Sequence, residues 1–167
     1  MNWIELHPGT AAWVQAGGAL VALIIAVCVP TWHTRKIEAR KRRQFLQSVA
    51  AIGGEVQKCF TNAAAHCGHD TEQGLRFVRS VEACHRFRIA SAAINAVPVH
   101  ELPSYQLARR VLELQQLMAE GLMQLDAAFK EVDDHQRLVQ SELYGQAFTR
   151  LAESARPCLS EIEAAAR

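Results

Sequence analysis

The chain has 167 residues, half of them hydrophobic, and a formal net charge of +1 at neutral pH. That length fits one domain with an appendage, and the basic charge, confined to one local block, is not the spread over a folded face usual in a nucleic-acid binder. The charge is uneven all the same: residues 35–43, RKIEARKRR, hold six of the eighteen Lys and Arg, and from Gln44 onward twelve basic residues stand against fifteen acidic ones.

The N-terminal ten residues, MNWIELHPGT, contain no Lys or Arg. From Ala11 to Val29 run nineteen residues without a formal charge. As a helix they would span roughly 28 Å, close to the hydrocarbon thickness of a bilayer. Trp13 and Trp32 flank the run, as amphipathic rings do at the two interfaces of a spanning helix. A cleaved export signal requires a basic start and a small-residue cleavage site; Glu5 is the one charged residue before the run, and Val27 precedes Cys28 where a lipoprotein signal would need a small residue. A buried core helix is the remaining alternative. The expected organisation is a short extracytoplasmic N-terminus (1–10), a transmembrane helix (11–32), a basic juxtamembrane segment (33–43) and a cytoplasmic helical bundle (44–167). Arg35, Lys36, Arg40, Lys41, Arg42 and Arg43 follow the span directly, and basic flanks stay in the cytoplasm. The same collar would attract anionic lipid headgroups, and no nucleic acid is expected as a partner. Within the span Gln15, Gly18, Ala22 and Ala26 recur at helical spacing. Small residues let backbones approach, and a polar side chain in hydrocarbon seeks a partner, so this face is a candidate surface for a homo-oligomer. The plainer alternative is that small residues are common in membrane helices and that Gln15 reaches interfacial water.

Beyond the collar, Phe45, Val49, Ile52, Val56, Cys59 and Ala63 step by four and three, a helical stripe that contains Gly53 and Gly54. Two glycines there mark a hinge or a close crossing, since each costs about 1 kcal/mol relative to Ala in a helix interior. Gly68 is a candidate stop, and Asp70 with Gln73 fits a capping box. A second helix is expected from about Thr71 to Ala96, with Leu75, Val78, Val81, Cys84, Phe87 and Ile89 on its apolar face. Pro98 and Pro103 end it. A third runs from about Ser104 to Val132, with Leu107, Val111, Leu114, Met118, Leu122, Leu125, Phe129 and Val132 as its stripe. Asp133 with Gln136 fits another capping box before a fourth, to about Ala165, carrying Tyr144, Phe148, Leu151, Ala155, Cys158 and Ile162. Pro157 should kink or shorten it. No alternating β-type run appears. The predicted class is all-α: one N-terminal transmembrane helix, then an up-and-down antiparallel bundle of about four long helices, roughly 40 Å long. The spacing also permits an intermolecular coiled coil.

Five cysteines, Cys28, Cys59, Cys67, Cys84 and Cys158, form an odd set with one member inside the apolar run, which points to reduced thiols in a reducing compartment. Thiolate and imidazole are zinc ligands, so His66, Cys67, His69 and Cys84, with Cys59 and His85 nearby, form the one candidate metal cluster. Its spacing lacks a paired-cysteine knuckle, and small core cysteines beside helix-end histidines are the simpler account. There is no nucleophile elbow, phosphate-cradling glycine loop or metalloprotease helix. The acids Glu131, Asp133 and Asp134 beside His135 sit where a helix start would want them. EACH, Glu82 to His85, matches a di-iron half-motif that no second copy completes. No catalytic residue and no cofactor is expected.

WVQAGG, residues 13–18, followed by the rest of the apolar run and a basic helix, resembles a loose group of small uncharacterised bacterial single-pass inner-membrane proteins with a W-V-Q-A-x-G type anchor. The resemblance covers about forty residues; it implies an inner-membrane location and carries over no activity and no site residue. The expected function is a membrane-anchored interaction or scaffolding protein with an unknown cytoplasmic partner, not an enzyme. The alternatives are a sensor or effector with a ligand, metal or redox input, and a membrane-perturbing effector.

Overall fold

The computed structural model describes residues 8–69, 76, 77, 80–130 and 137–167. These form four α-helices and no strand: α1 (Pro8–His69), α2 (Val81–Asn95), α3 (Tyr105–Lys130) and α4 (Arg137–Ala166). A single 3-10 turn, Val99–Glu101, links α2 to α3. The all-α expectation and the helical bundle hold. The chain divides into two compact units, Met1–Arg43 and Gln44–Arg167, each described by itself below.

Local chemistry sets the helix ends. Pro30, Gly53 and Gly54 all lie inside α1, so it neither ends at the proline nor breaks at the glycines. It is helical through Gly68, the expected stop, as far as His69, and residues 70–75 lie outside the described residues. Ser80, with extended backbone, caps α2 by accepting the Ala83 N–H at 3.1 Å. Ser104 does the same for α3, accepting from Leu107 at 3.3 Å. The Pro98 and Pro103 pair frames the 3-10 turn, as a stretch that cannot continue a helix should.

The second helix corrects the sequence expectation. The chain breaks at Ser80, and the helix that follows starts at Val81; residues 76 and 77 before the break are helical too. The fifteen residues from Val81 reach roughly 22 Å, so the four helices are not equally long. Its core face is Ala83, Phe87, Ala90 and Ile94. Val81 (84% exposed) and Ile89 (55% exposed) point away. The physical reason is that small alanines take the inward positions, leaving larger apolar residues of the expected face on the outside. The Asp70–Gln73 and Asp133–Gln136 capping boxes, together with Leu75, Val78, Glu131, Val132 and His135, lie outside the described residues, as do the side chains of His69 and Phe129.

The core of the second unit is built from the other stripes. On α1 the buried positions are Leu46, Val49, Gly53, Val56, Phe60, Ala63 and Cys67. The expected stripe shares Val49, Val56 and Ala63 with this set, while Phe45, Ile52 and Cys59 lie at its half-buried edge. On α3 Leu107, Val111, Leu114, Met118 and Leu125 are buried and Leu122 is half-buried. On α4 Phe148, Leu151, Ala155, Cys158 and Ile162 are buried, with Tyr144 at the edge. Helix α4 runs on past Pro157 to Ala166, so the proline does not shorten it.

Contacts fix the helix directions. Gly53 lies against Leu114 and Phe60 against Gly121, so this part of α1 runs parallel to α3. Gly53 also lies against Leu159, while Gln57 Nε2 donates to the Ala152 carbonyl at 3.0 Å, so α4 runs the other way. The Phe60–Phe87 and His66–Phe77 ring contacts bring the chain back along α1 into α2. Sequence neighbours are thus antiparallel, the arrangement short connections favour. Phe60, Phe87 and Phe148 join α1, α2 and α4 through centroid distances of 6.1 and 5.8 Å, tilted geometries that add about 0.5–1.5 kcal/mol per pair beyond burial.

Two glycines make close packing possible. A Cβ at Gly121 would stand 2.6 Å from Cε1 of the fully buried Phe60 ring, and one at Gly53 would stand 3.1 Å from Leu159 Cδ1. A Cβ at Gly54 meets nothing within 4 Å. Gly121→Ala is therefore expected to destabilise the full chain by about 1–3 kcal/mol through overpacking. Gly54→Ala should stabilise it by about 0.5–1 kcal/mol through helix propensity. Denaturant unfolding in detergent checks both, and equal effects of one sign would contradict this packing.

Candidate functional site

In the first unit, α1 holds one stretch long and apolar enough, by length and composition, to cross a membrane, and none of it is buried within the protein. Trp13 (80%) and Trp32 (61%) are exposed, as are Leu20, Leu23, Ile24, Ile25 and Val27 between them. At about 100° per residue, Gly18, Ala22, Gln15 and Ala26 share a sector of roughly 80°, which these five large apolar side chains leave free and exposed Val29 enters near its C-terminal end. All four are exposed, and a Cβ at Gly18 would meet nothing within 4 Å. Pro30 deprives the Ala26 carbonyl of its helical donor. Next to it the Thr31 hydroxyl donates to the carbonyls of Val27 and Cys28 at 3.0 and 2.9 Å, and Thr34 to that of Pro30. Hydroxyls that satisfy carbonyls locally are how prolines are tolerated in apolar helices. Arg35, Lys36, Arg40, Lys41, Arg42 and Arg43 are exposed on the same helix, and Lys36 Nζ lies 3.8 Å from the Trp32 ring centroid.

In the second unit, a cleft of about 460 Å³ opens between α1 and α2. Ala83, Ala90 and Ala93 leave the room, Ile52, Phe77 and Phe87 line it, and Cys59, Asn62 and His66 give it polar edges. The Glu55–Lys58 and Glu82–Arg86 pairs on its rim are each formed within one helix, at 2.7 and 2.5 Å. Such exposed pairs contribute little to stability and are free to exchange partners. His66 stacks on Phe77 with centroids 4.7 Å apart.

The sequence-derived cysteine–histidine cluster is dispersed. His66 lines the cleft, whereas Cys67, about 100° further round the helix, is buried in the core, where desolvation pushes its thiol up to about 11. Cys84 is half-buried and His85 exposed on α2. Burial raises Cys59 too, with Glu55 adding to it. Among the described side chains no group of three or more His, Cys, Asp or Glu could hold a metal ion; the side chain of His69 is outside that set.

A polar cluster that the sequence does not announce pins α3 to α4. Arg110 makes a two-pronged pair with Glu161 at 2.6 and 2.8 Å and reaches Glu113 at 2.7 Å. Glu113 also accepts from Arg109 at 2.9 Å and from the Cys158 thiol at 3.4 Å. The signal available is only local, the spacing of Arg109 and Arg110 to Glu113; the partner of Arg110 on α4 is 51 residues away. The Arg110 bond, with help from Cys158, holds Glu113 down to about 2, while burial and the Glu113 bond push Cys158 up to about 11. Thiols this far from ionisation are poor nucleophiles, so Cys158 and Cys67 serve packing.

Because the folded pKa of Glu113 lies below its ordinary 4.5, the stability it contributes is complete above that value and lost as pH falls toward about 2. Glu113→Gln is expected to lower stability near neutral pH and to weaken the loss on acidification. Unfolding midpoints of both chains from about pH 6 to pH 2 check this, and parallel curves would contradict it. No protein-family model, curated protein or solved structure matches this chain.

Proposed function

We propose that the chain is a single-pass bacterial inner-membrane protein, N-terminus outside and C-terminal bundle in the cytoplasm, that works by interaction. The bundle would tether or organise a cytoplasmic partner, or bring copies of the chain together, at the membrane surface. One observation carries the reading: the apolar stretch of α1 is not buried by any of the described residues and is followed directly by six exposed cations. Water does not tolerate so large a continuous apolar surface, a bilayer does, and the cations set its orientation. The reading as an interaction protein, not an enzyme, rests on the missing catalytic motifs and on the Arg110–Glu113–Glu161 cluster being engaged in joining α3 to α4. The likeness of WVQAGG to small inner-membrane proteins points to the same location. The sector of Gln15, Gly18, Ala22 and Ala26 is where copies would meet.

The cleft between α1 and α2 supports a second reading, a sensor whose bundle takes a small ligand beside Cys59 and His66 and responds through its helix packing. Its volume is in the range of small-molecule sites.

Cross-linking in native membranes separates these readings from a passive anchor. The intact chain is expected to give discrete higher-mass species, and the chain truncated after Arg43 to lose those made through the bundle. Gln15→Leu should weaken homotypic products by several-fold, since membrane-buried polar contacts contribute about 0.6–2 kcal/mol. A strictly monomeric chain with no captured partner would contradict the interaction reading.

A further inference from the structure

We infer that residues 32–43 form a binding site for anionic phospholipid headgroups that surrounds the whole helix, a proposal that rests on the spanning reading above. The observation is the angular distribution of the collar. The segment is helical throughout, so each residue turns the direction by about 100°. Measured from Arg35, Arg43 falls at about 80°, Lys36 at about 100° and Arg40 at about 140°. On the other side Lys41 falls at about 240° and Arg42 at about 340°. No gap around the circumference exceeds about 100°. All six side chains are exposed, and among the described residues none forms an ion pair with an acid. Glu38, at about 300° between Lys41 and Arg42, is the one acid in the segment and pairs with none of them, so six cations less one acid leave a net +5 for an outside partner.

A ring of charge selects its occupant. A nucleic acid or an acidic protein approaches from one side and leaves half of such a ring unused. A helix lying flat on a membrane would keep its cations on one face. A layer of headgroups pierced by the helix meets every side at once. The Lys36–Trp32 contact marks the level: the lysine stem folds back along an indole, an arrangement suited to the boundary between hydrocarbon and headgroups. The nine residues of the collar rise roughly 13 Å, so the six cations lie within reach of that layer's field, which decays over about a Debye length.

Energy transfer from Trp32 tests this directly. The full chain carrying Trp3→Phe and Trp13→Phe, which leaves Trp32 as the donor, is reconstituted into phosphatidylcholine vesicles with a trace of dansylated phosphatidylglycerol or dansylated phosphatidylcholine. Enrichment of the anionic probe near Trp32 is expected to be on the order of fivefold at low salt, the factor that one basic residue near the surface can supply. It should vanish at high salt and when Arg40, Lys41, Arg42 and Arg43 are changed to Gln, and it should survive Arg40→Lys with Lys41→Arg. Equal transfer to both probes, with the chain still resisting alkaline extraction, would overturn the headgroup site alone. Loss of the enrichment on adding a short oligonucleotide would overturn it too, in favour of a general polyanion surface. Release of the chain by alkali would overturn the spanning reading and the site with it.

Discussion

The uncovered apolar surface between Trp13 and Trp32 is the constraint on which the rest depends. Among the described residues nothing shields it, and at about 25 cal/mol per Å² of apolar area its exposure to water would outweigh the few kcal/mol by which a domain is stable. Some apolar phase or partner has to cover it. Apart from the Ala26 carbonyl that Pro30 leaves without its helical donor, the helix pairs its own backbone groups along its length, Thr31 and Thr34 donate to neighbouring carbonyls, and the exposed side chains are apolar on nearly every side. These are the conditions for life in hydrocarbon. The exposed collar that follows the apolar stretch and the cysteines that form no disulfide fit the same account.

The bundle solves a different problem. It holds four helices with one contiguous core, and its specificity comes from a few asymmetric contacts. Gly121 admits the Phe60 ring, Gly53 admits Leu159, and Arg110 ties α3 to α4. Gln57 reaches a backbone carbonyl of α4 from α1. Each ties helices distant in sequence, and together they select one register among the many that a heptad-like pattern would allow. The cleft exists because α2 presents alanines where longer side chains would close the gap.

How much of this is legible in the sequence varies with the kind of signal. The α3 and α4 stripes read directly, because strong apolar residues repeat there without interruption. The α1 stripe reads only in part: Gly53 occupies a core position without an apolar side chain, so the pattern shifts to Ile52 and passes over Phe60. In α2 the rule that larger apolar residues lie inside fails, since Val81 and Ile89 point outward and Ala83 and Ala90 inward. The start of α2 is ambiguous because Asp70 and Ser80 both make good caps, and local pattern does not choose between them. The Arg110–Glu161 tie depends on helix pairing and has no signature in the sequence. Within the Cys and His cluster, adjacent residues on a helix diverge by about 100°, which sends Cys67 inward and leaves His66 in the cleft.

Whether α1 carries the chain across a membrane with its C-terminal side in the cytoplasm is tested most directly by a topology measurement on the full chain in cells. A cysteine introduced at Thr10 and another at Ser160, each scored against the labelling background of the parent chain, report the two sides to a membrane-impermeant maleimide. A chain that spans as proposed is labelled at Thr10→Cys in intact spheroplasts and at Ser160→Cys only after lysis. Labelling of both only after lysis, with the chain recovered in the soluble fraction, would contradict it.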